Sequence, residues 1–274
     1  MNYSDYIADP SRDCAIVVHR GIWRAAPENS LLSIERAISA GYDVVEIDVR
    51  RSSDGELFLL HDDTLERMTG LDRAPETLTL QQLSSLNLRD RDGGERNAVT
   101  EEKLPSLKDV FSLTKNRIFI HLDVKHRHLI PEVIACARDM GVDQQVDFWG
   151  SLKTSEDLDW IRTNVARQAV LFMAKTRLEA ADAETQMDLL LQLKPTLCEI
   201  YFDRLEQVIE RAPLFRKAGI ALWVNTLDSV SCAGLTDTAA LRDPQAVWGR
   251  LIDAGISAIQ TDEASALRAY LQSR

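Results

Sequence analysis

The sequence has no closely spaced cysteines: Cys14, Cys136, Cys198 and Cys232 lie far apart, and no CxxC occurs. That pattern fits reduced, mostly buried thiols in a reducing compartment. No stretch approaches the ~20 apolar residues that a membrane-spanning helix needs. The opening residues MNYSDYIADPSRD lack both the basic and the apolar segment of a secretory signal. A soluble, cytoplasmic protein without stable membrane insertion is therefore expected. Positive charge is short: 32 Lys and Arg against 43 Asp and Glu leave a net charge of −11. This speaks against a nucleic-acid or anionic-membrane surface, which needs a basic face. An anionic ligand has to be received by local cations against an unfavourable field. A G-x-G-x-x-G phosphate loop is also missing.

What is present is a repeating α/β pattern. Of 274 residues, 45% are hydrophobic, enough for an ample core in either one large barrel or two ordinary domains. The apolar runs Cys14–Val18 and Asp43–Val49 flank the amphipathic stretch Leu31–Ala40. Asn29 or Ser30 suits its N-cap and Gly41 its stop, so a βαβ unit opens the chain. His19 and Glu46 then sit at the carboxyl end of adjacent parallel strands, where α/β folds build their sites. Further strand-like runs are Ile118–Val124, Gln145–Trp149, Ala169–Met173, Leu197–Phe202, Ile220–Val224 and Ile256–Gln260. Helical stretches separate them near Leu129–Met140, Glu156–Asn164, Glu179–Leu193, Leu205–Ala218 and Ala239–Ala254.

Eight such units predict an α/β fold, a (β/α)8 TIM barrel, as a single domain over residues 1–274. A doubly wound open sheet is the alternative, against which the missing phosphate loop counts. Residues 62–105 read as a small insertion, with a short helix near Thr79–Leu86. Arg89–Lys103, charged and carrying Gly93-Gly94, reads as a surface excursion, an ordinary solvated loop before a lid. Ser106 is a candidate cap for the helix after it.

The stretch Glu46-Ile-Asp48 to His61-Asp62 is the focus of the chain. Asp54-Gly55 between two β-prone segments predicts a two-residue hairpin turn. In that register Asp48 lies opposite His61, and Glu46, Asp48 and His61 point into one space. Two carboxylates and an imidazole there make a hard-cation site with an acid/base group beside it. A slip of one residue turns His61 to the other face. The competing interpretation is a solvated hairpin face.

The motifs HRG at 19–21, PENS at 27–30 and EIDVRRSSDGELFLLHDDTLERMTG at 46–70 resemble the glycerophosphodiester phosphodiesterase family in order, spacing and residue type. Leu122-Asp123-Val124-Lys125, Leu222-Trp223-Val224-Asn225 and Gly255 to Asp262 are similar to the family's E-x-K strand, its VWTVN strand and its closing strand. The intervening stretches resemble it loosely. The resemblance implies metal-dependent hydrolysis of glycerophosphodiesters to sn-glycerol 3-phosphate and an alcohol, with His19 and His61 as catalytic acid and base in either order. Attack is by water or by the substrate's own glycerol hydroxyl through a cyclic phosphate.

Within that frame, Glu46, Asp48 and Asp123 are the metal ligands, and oxygen-only donors favour Mg²⁺ or Ca²⁺. Arg20 and Lys125 would clamp phosphate oxygens, and Trp223 would line the substrate pocket. The family usually has Glu where Asp123 stands, so the third ligand is a methylene short. Each residue also has a plainer explanation: a surface cation for Arg20, an Asp123–Lys125 salt bridge, a core tryptophan for Trp223. Glu28 and Asn29 are expected to hold the first loop. His121 is expected to face the helices, His126 and His128 to sit in a loop, and Lys153 on the surface. Glu199 has no evident role. The partner is a small-molecule phosphodiester; a homo-oligomer stays open. The alternatives are a diesterase for lysophospholipids or sugar phosphodiesters, and a catalytically silent barrel that binds phosphodiesters.

Overall fold

The computed structural model describes residues 2–9 and 11–274. Its strands are β1 (Ala15–Val18), β2 (Val44–Arg51), β3 (Leu57–Leu59), β4 (Asn87–Arg89), β5 (Val99–Lys103) and β6 (Phe119–Val124). They continue with β7 (Val146–Ser151), β8 (Leu171–Arg177), β9 (Leu197–Tyr201), β10 (Ala221–Leu227), β11 (Val230–Ser231) and β12 (Ile256–Thr261). The main sheet has the order β1-β12-β10-β9-β8-β7-β6-β2, and β1 also pairs with β2. Eight parallel strands thus close into a (β/α)8 barrel, as the eight apolar runs predict. By its backbone contacts the chain divides into two compact units, Val18–Val146 and the segment up to Val17 with Asp147–Arg274.

In the unit Val18–Val146, both faces of β2 are buried up to Arg50, as expected for a parallel strand covered on each side. The helix Leu31–Ser39 starts at Ser30, whose hydroxyl accepts the Ser33 N–H at 3.0 Å. The hairpin β2–β3 differs from its expected register. Val49 pairs with Leu59 and Arg51 with Leu57, so Asp48 stands opposite Leu60 rather than His61. The loop has three residues, Ser53-Asp54-Gly55, instead of two. Gly55 takes φ +88°, the Gly55 N–H reaches Ser52 O at 3.1 Å, and Ser52 N–H closes on Glu56 O at 2.8 Å. A turn followed by a left-handed glycine is the three-residue solution to the same Asp-Gly signal.

The insertion carries its own small core. Phe58, Leu60, Leu65, Met68, Leu78, Leu83, Leu88 and Leu104 are buried together. Each such burial stabilises by about 1.5–3 kcal/mol, which offsets the cost of ordering the excursion. Arg89–Lys103 is not a plain loop: Asn87–Arg89 and Val99–Lys103 pair antiparallel, with Gly93 and Gly94 at positive φ in the connection.

In the other unit, β7 to β10 and β12 alternate with helices near their predicted places. The single helix expected over Ala239–Ala254 is interrupted. It runs as Asp237–Arg242, a π turn over Gln245–Gly249, and Arg250–Asp253. Pro244, which has no N–H to donate, stands at the break. Helices Tyr3–Ala8 and Ala264–Ser273 complete it. Among the described residues no helix is long and apolar enough to cross a membrane.

Candidate active site

The first loop is built by backbone conformations few residues adopt. Arg20 has φ +51°, Gly21 +77° and Asn29 +55°. A Cβ on Gly21 would lie 2.7 Å from the Ser33 carbonyl carbon, so only glycine fits against the incoming helix. The Arg20 carbonyl accepts the Asn29 N–H at 3.1 Å and the Ser33 hydroxyl at 3.1 Å, which ties HRG to PENS. Asn29 is thereby aimed at Asp48. Its Nδ2 donates to Asp48 Oδ2 at 2.7 Å, and its Oδ1 accepts the Asp48 N–H at 3.1 Å.

The carboxylates come from β2 and β6. Glu46 pairs in register with His121, and Asp48 with Asp123. Oxygens of Glu46, Asp48 and Asp123 lie within 4.8 Å of one another. Lys125 Nζ bridges two of them, 2.5 Å from Asp48 Oδ1 and 2.6 Å from Asp123 Oδ2. Arg20 Nε stands 3.3 Å from Asp48 Oδ2, while its backbone N–H donates to Glu46 Oε2 at 3.1 Å. Burial, joined by the neighbouring Asp48 charge, pushes Glu46 up to about 7. Burial acts the same way on Asp48, but Lys125, Arg20 and His61 overcome it and hold Asp48 well below the usual carboxylate range. Three hard oxygen donors with this much crowded negative charge are chemically suited to a divalent cation.

The histidines flank this cluster by different routes. His19 Nε2 is 4.0 Å from Glu46 Oε2. His61 lies past the end of β3, so the one-residue slip does not turn it away; it is among the groups that lower Asp48. Its Nδ1 is 2.8 Å from Asp62 Oδ1. Hydrogen bonds from His61 and Arg67 outweigh burial and keep Asp62 well below its ordinary range. An ionised Asp62 can only accept, so the proton sits on Nδ1 and Nε2 is left for proton transfer.

Three residues, Arg50, Asp62 and Arg67, were given no role from the sequence. Arg50, in phase with Glu46 and Asp48 on β2, donates to the carbonyls of Leu60 at 3.1 Å and His61 at 3.0 Å, pinning the histidine's backbone. Arg67 donates to Asp62 through Nε at 2.7 Å and to Glu28 Oε1 through Nη2 at 2.7 Å. Glu28 also accepts from Arg20 Nη1 at 3.0 Å. An ionic chain Arg20–Glu28–Arg67–Asp62–His61 therefore links the first loop to the insertion. Asp62 was visible as the residue after His61; Arg67 had no local signal.

The assignment of His121 is corrected. It lies two residues from Asp123 and opposite Glu46, so it shares the face of the carboxylates rather than facing the helices, and it is buried. His126 and His128 stack on each other with centroids 5.7 Å apart, outside the acidic group. In the other unit, Trp223 is fully buried and its Nε1 donates to Asn225 Oδ1 at 2.9 Å. Lys153 precedes the helix Ser155–Asn164 on an exposed turn.

Fold and cluster together define the class: a (β/α)8 barrel with buried carboxylates, local cations and oriented imidazoles near the ends of its first strands. A curated glycerophosphodiester phosphodiesterase of Caldanaerobacter subterraneus subsp. tengcongensis is 32% identical over 111 residues, 40% of this chain and 44% of that protein. A family model described as a domain of unknown function, DUF4996, matches residues 172–271. A glycerophosphoryl diester phosphodiesterase from Parabacteroides distasonis matches in fold with a TM-score of 0.77 at 20% identity, covering 100% of this chain and 92% of its own. A phosphodiesterase from Oleispira antarctica, solved with the product sn-glycerol-3-phosphate, matches with a TM-score of 0.67 at 20% identity over 94% of this chain and 96% of its own. The chain spans less than half the length of the curated relatives it matches. These comparisons agree with the resemblance read from the motifs: over the matched part the chain is similar to glycerophosphodiester phosphodiesterases.

Proposed function

We propose that the chain, acting as one barrel domain, hydrolyses glycerophosphodiesters to sn-glycerol 3-phosphate and an alcohol. The observation that carries this is the meeting of Glu46, Asp48 and Asp123 within 4.8 Å beside Arg20 and Lys125. Glu46, Asp48 and Asp123 would hold Mg²⁺ or Ca²⁺, which when bound neutralises charge growing on the phosphoryl oxygens. Arg20 offers a planar fork and Lys125 a point charge to the non-bridging oxygens. His19 and His61 divide the proton work: one takes the nucleophile's proton, the other protonates the leaving alcohol. Asp62 holds the His61 ring in a single tautomer throughout. The resemblance makes Trp223 part of a pocket wall; it is fully buried and bonded to Asn225, so we assign it to backing such a wall and not to touching substrate. The names of the curated relatives support the reading.

A second reading keeps the chemistry and changes the alcohol. Asp123 in place of the usual Glu favours it, as does the match of residues 172–271 to a family of unknown function. A lysophospholipid or a sugar phosphodiester is then the substrate.

The test is a phosphodiesterase assay over a panel of diesters, with and without EDTA, on the wild type and on His19→Ala and His61→Ala. Turnover that needs the cation and falls at least about a hundredfold in each variant is expected. Undiminished turnover in either variant overturns the assignment, and tight binding with no turnover under any cation leaves a silent barrel.

A further inference from the structure

The hairpin β4–β5, within the unit Val18–Val146, ends in a tip that lies against Glu28 and Arg67. Its residues Asp90-Arg91-Asp92-Gly93-Gly94 meet them through backbone groups. Glu28 N–H donates to the Arg91 carbonyl at 2.9 Å, and Gly94 N–H donates to the Arg67 carbonyl at 2.6 Å. Arg67 Nη1 donates to the Asp92 carbonyl. The tip is itself braced. Gly93 N–H closes on Asp90 O at 3.0 Å, and Asn97 Nδ2 donates to Asp92 Oδ1 at 3.1 Å and to Gly93 O at 2.5 Å.

These contacts complete the guanidinium of Arg67. Nε and Nη2 grip the two oxygens of Asp62 at 2.7 and 2.9 Å, and Nη2 also reaches Glu28 Oε1 at 2.7 Å. Nη1 faces the Asp92 carbonyl and Met68 Sδ, the latter at 3.4 Å. A guanidinium carries its N–H groups in a rigid fork, and here every nitrogen has an acceptor. Asp62 Oδ1, gripped in this way, is the oxygen that meets His61 Nδ1 at 2.8 Å. The Arg67 side chain is 29% exposed, so without the Asp92 carbonyl one arm of the fork is free to turn toward water.

Gly93 is what lets the tip come this close. Its φ is +71°, and a Cβ there would stand 2.5 Å from the Arg67 carbonyl oxygen and 2.7 Å from Met68 Sδ. Met68 belongs to the buried core of the insertion, where close packing leaves it little room to yield. A side chain at position 93 therefore pushes Arg67 and the tip apart.

We propose that the β4–β5 tip positions the active site, with Gly93 as its critical positioning residue: by seating Arg67 it holds Asp62, and through Asp62 the His61 ring, in place for proton transfer. The kinetic consequence rests on the phosphodiesterase reading; the seating of His61 by the tip does not.

The experiment compares the wild type with Gly93→Ala, Asn97→Ala and Gly41→Ala, with melting curves to establish folding. Gly41 has the same φ of +71° but nothing within 4 Å of an added Cβ, so it carries the backbone strain without the push on Arg67. In Gly93→Ala kcat should fall about ten- to a hundredfold with KM changed less than about twofold, since misplacing a catalytic group by about 1 Å costs up to that much. Asn97→Ala, which only loosens the tip, should lose less in the same direction, and it decides the question if Gly93→Ala does not fold. Gly41→Ala should keep the wild-type kcat. In an Arg67→Met background, Gly93→Ala should change kcat by less than about twofold, because both act through one guanidinium. Independently of turnover, ¹⁵N chemical shifts of the His61 ring read its tautomer, which should be Nδ1-protonated in the wild type and mixed in Gly93→Ala. An unchanged tautomer in folded Gly93→Ala and Asn97→Ala overturns the proposal. So does an equal loss of kcat in Gly41→Ala, or a loss that persists undiminished in the Arg67→Met background. If the wild type turns over no diester, the phosphodiesterase reading fails, while the ¹⁵N shifts still decide the role of the tip.

Discussion

Asp48 and Asp123 stand directly opposite each other in the β2–β6 ladder, and the Lys125 ammonium holds one oxygen of each, at 2.5 and 2.6 Å. Directly opposed like charges are destabilising unless a cation lies between them. Lys125→Met should therefore lower stability by about 3–5 kcal/mol, the usual cost of removing one partner from a buried ion pair. Millimolar Mg²⁺ or Ca²⁺ should restore part of it by taking over the compensation. Melting temperatures with and without the cation check this; a variant as stable as wild type in EDTA would contradict it.

Asp123 is the most exposed member of the acidic group, with 25% of its side chain accessible. It is thus the proposed ligand whose loss costs the least packing. Asp123→Asn should fold normally yet bind the cation at least about tenfold more weakly, because one charged oxygen donor is gone. Calorimetric titration of the apo protein reads this directly. Equal affinity would remove Asp123 from the ligand set.

The Asp62 carboxylate fixes which nitrogen of His61 carries the proton. Asp62→Asn replaces an obligatory acceptor with an amide that can turn its NH₂ toward the ring and favour the other tautomer. Turnover should fall with KM nearly unchanged, bounded by the roughly 10²–10⁴-fold worth of a general acid or base. Arg67→Met, which removes the group that holds Asp62, should reproduce a smaller part of the same loss. Steady-state kinetics separate kcat from KM for both.

Asp237 gives a pH test outside the candidate site. It is buried, accepts from the Thr226 and Thr261 hydroxyls at 2.6 Å each, and accepts the Asp262 N–H at 2.8 Å. Burial outweighs these bonds and pushes it up to about 6. Its unfolded pKa is about 3.9, so the folded state binds the extra proton between these values. The associated stability is fully present below about pH 4 and is lost as pH rises through about 6, amounting to about 3 kcal/mol. The melting temperature of wild type relative to Asp237→Asn should thus decline from pH 4 to 6 and level off above. A difference that is flat across that window would show that Asp237 does not titrate with a raised pKa.

Much of the barrel was legible because its signals are local. The barrel strands are largely buried on both faces, so eight mostly apolar runs stand out against polar connections. HRG and PENS were readable as a loop and a cap, and the left-handed Gly21 and the Ser30 cap are what those residues provide. The break at Pro244 was equally local: the missing N–H interrupts the helical pattern, and the apolar period on either side concealed it. His121 was legible too, since strict alternation puts it in phase with Asp123.

Tertiary structure decided the rest. Asp-Gly is compatible with two- and three-residue loops, and the choice depended on Ser52 closing on Glu56 and on the core beneath Phe58 and Leu60. The chain from Arg20 to His61 joins residues whose partners lie up to 39 positions away, from Glu28 to Arg67. The same holds for Lys175 against Glu199 and Trp149, which meet only through the parallel register of their strands. A sequence specifies which side of a strand a residue occupies, because alternation is intrinsic to the backbone. Which charge it meets there depends on the neighbouring strand, and that pairing is set by the packing of the whole sheet.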